Sequence, residues 1–188
     1  MYQICVSGAA RGDSVEEGKA LASALGRAIA EAGHCLMTGA TIGLPNYAAE
    51  AYKKAGGTMS IGISPASSKV EHVMKYRLPI DAYDNILYTG LHYVGRDALL
   101  VTSSDAVISI GGRIGTLHEF TIAFETDTPI GFLQGAGGIG DEIQTLIGLA
   151  QPLKPGVMVT FNENPAELIA DLVAHLDKDH AKYKGLYN

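Results

Sequence analysis

What this sequence lacks narrows it first. Its 188 residues hold no lysine- or arginine-rich run, and the formal charge is −6. A nucleic-acid or anionic-membrane surface is therefore not expected, and small ligands are the expected partners. No apolar stretch approaches the length that spans a bilayer, and the start, MYQICVSGAARG, has no basic segment followed by a long apolar one. The expectation is a cytoplasmic protein. Tryptophan is absent, and the two cysteines, Cys5 and Cys35, each sit inside a strand-like run without zinc-ligand spacing around them. They read as buried free thiols, so no metal site is expected. There is no internal repeat and no low-complexity segment.

What is present is ordinary globular composition, 47% hydrophobic and 18% charged, in a chain long enough for one domain over residues 1–188 with its own core. Tyr2 to Val6 is β-rich, and Ser7-Gly8-Ala9-Ala10-Arg11-Gly12 turns after it. From Asp13 to Ala32 the apolar residues Val15, Leu21, Leu25, Ile29 and Ala32 recur at helical spacing, with Asp13 and Glu16 placed as N-cap and capping-box partner. Gly33 stops that helix. A strand over His34 to Thr38, a glycine turn over Gly39 to Gly43, a helix from Leu44 to Ala55 opened by Pro45, and a strand over Thr58 to Ile63 follow. Pro65 to Asp84 breaks the rhythm and is too long for an ordinary connector, as a lid or a dimer contact would be. The alternation then resumes: strand Asn85 to Thr89, helix Leu91 to Ser103, strand Ala106 to Ile110, helix Thr116 to Thr126, strand Pro129 to Leu133 and a helix to about Ala150. A last strand over Gly156 to Phe161 precedes a closing helix that begins at Asn164-Pro165. This pattern predicts a Rossmann-like, doubly wound α/β fold: a mainly parallel sheet of about seven strands with helices on both faces.

Such sheets bind ligands at the carboxyl ends of their strands, where strand order reverses. Four glycine loops fall at such ends, Ser7–Gly12, Gly39–Gly43, Gly111–Gly115 and Gly135–Gly140, and charge separates them. Asp13, Glu16 and Glu17 follow the first closely and would repel a pyrophosphate. The fourth matches GxGxxG, yet Asp141 and Glu142 follow at once, and the second strand ends in Thr38-Gly39 with no acid to hold a cofactor ribose. A dinucleotide dehydrogenase is disfavoured, and no resident cofactor is expected. The second and third loops lead into helices that do not open on an acid, and the third carries Arg113, with Thr116 offering its hydroxyl and backbone N–H. These two suit the phosphate of a mononucleotide or a sugar phosphate. Thr116-x-x-Glu119 also fits a capping box, Arg96 beside Asp97 fits a surface arginine, and His92 and His118 are single histidines with no metal partner at ligand spacing.

GGRIGTLHE (Gly111 to Glu119) resembles the GGxGTxxE signature of the LOG-like proteins, the family long labelled "possible lysine decarboxylase" and related to cytokinin-activating phosphoribohydrolases. TGATIGLPNYAAEAYKKAGG (Thr38 to Gly57) is similar to that family's second glycine loop and helix, Ser7-Gly8 to its first loop, and Arg96 falls at the family's motif arginine. The resemblance covers roughly Ile4 to Leu133. It implies a homodimer or higher homo-oligomer that binds a nucleotide through Ser7, Gly8, Gly39, Gly43, Gly111, Gly112, Arg113, Gly115 and Thr116. It also implies that Arg96 and Glu119 act at the ribose, hydrolysing the N-glycosidic bond of a nucleoside 5′-monophosphate. A second branch is also similar. TGLHYVGRD (Thr89 to Asp97) and the glycine loop at Gly135 resemble the molybdenum-cofactor carrier proteins, which implies a non-catalytic carrier or sensor of a nucleotide or pterin-type cofactor. Lysine decarboxylation is excluded, because no lysine lies in a strand-end loop where pyridoxal phosphate would need a Schiff-base partner.

Overall fold

The computed structural model of the chain describes residues 1–150, 157–183 and 186. Seven strands form one sheet: β1 (Gln3–Gly8), β2 (Cys35–Thr38), β3 (Ser60–Ser64), β4 (Asn85–Tyr88), β5 (Ala106–Ile110), β6 (Ile130–Leu133) and β7 (Val159–Asn162). All six pairings are parallel, in the order β4-β3-β2-β1-β5-β6-β7. The chain thus winds one way from β1 to β4 and then back past β1, so strand order reverses between β1 and β5. Gly8 lies opposite Ile110 across that seam. The Rossmann-like expectation holds, and the sheet is parallel throughout. Of the last expected strand, Gly156 lies outside the described residues.

Helices α1 (Asp13–Glu31), α2 (Leu44–Lys54) and α6 (Pro165–His180) contribute to the apolar core on one face, and α3 (His92–Thr102), α4 (Ile114–Glu125) and α5 (Ile143–Ala150) to the core on the other. The strands feed both cores by simple alternation. In β1, Ile4 and Val6 join the first core and Cys5 the second; in β5, Ala106, Ile108 and Ile110 join the first and Val107 the second. A strand covered on both faces reads as a largely apolar run, as β5 does apart from the buried Ser109.

Three local details differ from the sequence reading. α1 is entered through Gly12 at φ +98 with no side-chain cap, so Asp13 is the first helical residue rather than the cap. α4 begins at Ile114, with Arg113 at the N-cap position, so Thr116 sits inside the first turn. Glu119 therefore does not close a capping box. By contrast α6 is capped as expected: the Asn164 side chain accepts from the N–H groups of Ala166 and Glu167, and Pro165 opens the helix. The Pro65–Asp84 stretch holds one π-helical turn, Glu71–Lys75, and is pinned to β3 by the buried His72, whose ring nitrogens bond Ser64 Oγ at 2.8 Å and the Pro79 carbonyl at 3.0 Å.

α1 and α2 approach closely at Gly26. A Cβ there would stand 2.0 Å from the Ala48 carbonyl oxygen, a backbone atom with nowhere to retreat. Gly26→Ala should therefore destabilise the fold by about 1–3 kcal/mol, although alanine is the better helix former by about 1 kcal/mol. Urea unfolding checks the sign: a stabilised variant would mean that the two helices can separate freely.

Candidate functional site

The glycine loops after β1, β2 and β5 converge above the β1/β5 seam. A cavity of about 240 Å³ opens there, lined by Ser7, Gly8, Gly39, Arg96, Arg113, Gly115, Thr116 and Glu119 from the sequence-derived set. Thr41, Tyr93 and Asp97 also line it. Gly43, Gly111 and Gly112 do not; each holds a wall in place instead. Gly43, at φ +84, packs where a Cβ would lie 2.3 Å from the Ala9 carbonyl oxygen, locking the second loop against the first. Gly111 and Gly112 carry φ +55 and +95, and the Gly112 carbonyl accepts from the Ile139 N–H at 3.0 Å. The GxGxxG loop thus serves as a buttress for the phosphate-sized loop rather than as a second cradle.

Four ionisable side chains form one network at the cavity floor. Arg96 Nη1 forms an ion pair with Asp97 Oδ1 at 3.0 Å and donates to Glu119 Oε1 at 3.2 Å. Asp97 Oδ2 bonds His118 Nδ1 at 2.8 Å. The Ser7 hydroxyl donates to Glu119 Oε2, joining β1 to α4 across the seam. Arg96, Asp97 and Glu119 are buried, with 5%, 5% and 8% of their surface exposed, whereas Arg113 is exposed at the rim. Burial pushes the Glu119 carboxyl above the ordinary carboxylate range, and Asp97 adds to the rise; the Arg96 guanidinium and the Ser7 hydroxyl pull the other way. Cys5, beneath this network, is raised chiefly by burial and then by Glu119, which leaves it an inert thiol.

Gly39 explains how Arg96 reaches its place. A Cβ on Gly39 would fall 2.3–2.4 Å from three guanidinium atoms, so the plane of the arginine lies directly on the glycine backbone. Arg96 Nε, also buried, has no hydrogen-bond partner. At the other wall no side chain caps α4. The first N–H groups of a helix have no partner within it, and they carry partial positive charge. The cavity therefore presents a helix mouth and an exposed arginine at its rim, above a buried arginine whose Nε has no hydrogen-bond partner. That is a surround for an anion. Among the described residues no group of three His, Cys, Asp or Glu is placed to hold a metal ion, and no helix is long and apolar enough to cross a membrane.

The profile described as LDcluster4, SLOG cluster4 family, matches residues 1–169. The chain belongs to that family. This agrees with the LOG-like resemblance of GGRIGTLHE. The SLOG cluster 4 chain is 35% identical over 125 residues to an uncharacterized protein of Archaeoglobus fulgidus, across 66% of this chain and 75% of the relative. In three dimensions it is similar to the molybdenum cofactor carrier protein of Chlamydomonas reinhardtii, with 28% identity, TM-score 0.74 and coverage of 93% of this chain and 98% of that one. It is also similar to the molybdenum cofactor binding protein of Rippkaea orientalis, with 29% identity, TM-score 0.71 and coverage of 92% and 97%.

Sequence reasoning missed Asp97 and Tyr93 as part of the site and treated His118 as a bystander. A signal was available. Tyr93, Arg96, Asp97, Leu100 and Val101 recur at helical spacing, and the last four are buried in α3, so the charged pair lies on the inward stripe of its helix. Thr116, Glu119, Phe120 and Ala123 do the same in α4.

Proposed function

We propose that this cavity binds the phosphate-bearing end of a nucleotide or pterin-type cofactor, and that the protein carries or senses that ligand rather than cleaving it. The observation that carries the binding is the cavity at the strand-order reversal, where Gly39 admits the buried Arg96 and no side chain caps the mouth of α4. The carrier reading is supported by the engagement of Glu119. Ser7 occupies one of its oxygens and Arg96 the other, so neither oxygen is left without a protein partner to orient an attacking water. The similarity to proteins described as molybdenum cofactor carriers or binders points the same way.

A second reading, hydrolysis of a nucleoside 5′-monophosphate, is favoured by the same pair in the GGRIGTLHE run, whose paired glycines stand one residue further from Gly-Thr than in the GGxGTxxE signature it resembles. Glu119 with Arg96 beside it could stabilise an oxocarbenium-like centre while water adds at C1′ and the base departs with a proton. Incubation with a panel of nucleoside 5′-monophosphates at high protein concentration separates the two. The carrier reading expects every nucleotide to be recovered intact; free base from any of them, lost in Glu119→Gln, would replace it with the hydrolase.

A further inference from the structure

We infer that Tyr93, braced by Tyr76 of the Pro65–Asp84 segment, is the platform on which a planar heterocycle of the ligand stacks, so that this segment sets what the phosphate site accepts. The inference rests on the phosphate-binding reading above and adds to it the part of the ligand beyond the phosphate.

Tyr93 lines the same cavity as Arg96, Arg113 and Thr116 yet remains 46% exposed, and it belongs to neither apolar core. Packing of the fold does not account for it. Its ring is nevertheless held in place. Tyr76 meets it edge to face, with ring centroids 5.6 Å apart at 77°. The Tyr76 hydroxyl bonds His92 Nδ1 at 2.6 Å, and His92 itself adopts φ +57, a left-handed conformation rarely taken by a residue other than glycine. The His92 N–H donates to the Pro65 carbonyl at 3.0 Å, and the Gly90 N–H to the Ala66 carbonyl at 2.9 Å. The residue before Tyr93 is thus tied by backbone and side chain to the same segment that supplies Tyr76. Beyond it, the π-helical turn Glu71–Lys75 leads into Tyr76, anchored by the buried His72. Single π turns concentrate at functional sites, and strained residues persist where surrounding structure holds them.

An edge-to-face contact occupies at most one face of Tyr93 and leaves at least one for a ligand. The size of the cavity gives that face a task. At about 240 Å³ it is smaller than the roughly 300–1,000 Å³ of clefts that enclose whole ligands. It suits a phosphate and its neighbouring atoms, and the remainder of a nucleotide or pterin would lie at the mouth, where a half-exposed aromatic ring offers stacking.

Calorimetry with guanosine 5′-monophosphate and ribose 5-phosphate tests the platform, since the two probes share a phosphate and differ by the planar base. The wild-type protein should bind the nucleotide at least about tenfold more tightly. Tyr93→Ala should erase that preference while ribose 5-phosphate binding stays within about twofold, Tyr93→Phe should keep it, and Tyr76→Ala should reduce it. Unchanged ribose 5-phosphate binding also shows that the variants fold. Equal wild-type affinities, or a preference that survives Tyr93→Ala, would overturn the platform and leave the phosphate site standing. Loss of both probes in Tyr93→Ala would make the residue a structural prop and equally overturn it. Failure of the wild-type protein to bind either probe would overturn the phosphate reading itself.

Discussion

Arg96→Ala is expected to destabilise the protein by about 3–5 kcal/mol at neutral pH, the cost of removing one partner from a buried ionic cluster. Arg96 stands between Asp97 and Glu119 at 3.0 and 3.2 Å, and all three side chains are at most 10% exposed. Without the guanidinium, two carboxyl groups remain in a low-dielectric site, Asp97 with only its bond to His118 and Glu119 with only its bond to Ser7. The loss should also depend on pH, with a definite sign. Burial already holds the Glu119 carboxyl above its ordinary value, and Arg96 is the largest influence opposing that rise. A carboxyl raised in the folded state contributes stability that is complete below its unfolded pKa, about 4.3, and that fades as pH climbs through the folded value. Removing Arg96 raises Glu119 further, so the penalty should shrink toward pH 4 and grow toward pH 7. Urea unfolding of both proteins across that range measures it. A penalty under about 1 kcal/mol at pH 7, or one flat with pH, would contradict the burial and coupling described here. The double variant Arg96→Met with Glu119→Gln should regain part of the stability, because it removes two of the three buried charges and leaves Asp97 bonded to His118.

Gly112→Asp should abolish binding of a phosphate ligand, weakening it at least a hundredfold, since facing like charges cost several kcal/mol (roughly three or more). Two effects combine at this position. Gly112 holds φ +95, and a Cβ there would come within 2.1 Å of Thr116 Oγ1, so any side chain disturbs the first turn of α4. Aspartate then adds a negative charge at the helix mouth, where the phosphate is to sit. Gly112→Asn separates these effects, since it has the same shape and no charge. Asparagine should retain part of the affinity, and calorimetry with a nucleoside monophosphate, alongside a thermal melt to establish folding, distinguishes the two. Equal affinity in the aspartate variant and the wild-type protein would remove the loop from the site.

The strand and helix succession was readable because β1 and β5 are covered on both faces and show as short apolar runs, while α1 and α6 keep apolar residues at helical spacing. The start of α4 was misread for a physical reason. Gly115 looked like loop, yet it is helical, and the true opening at Ile114 follows two positive-φ glycines. That shift of two residues removed the capping role considered for Glu119 and turned its side chain inward to Ser7 and Arg96. Arg96 and Glu119 were identified through a motif resemblance. Their coupling through Asp97 to His118 was not, because it depends on how α3 packs on α4, a contact between segments more than twenty residues apart. The role of Gly39 was equally hidden. A glycine after a strand suggests a turn, and only the position of the Arg96 guanidinium shows that the missing Cβ makes room for a cation.

Calorimetric titration of the wild-type protein with nucleoside 5′-monophosphates and the corresponding nucleosides shows whether the β1/β5 cavity grips a phosphate. The cavity described here predicts that at least one monophosphate binds while its nucleoside is at least about a hundredfold weaker, as loss of charge-assisted hydrogen bonds at a preformed anion site requires. Nucleosides that bind as tightly as their monophosphates would contradict it.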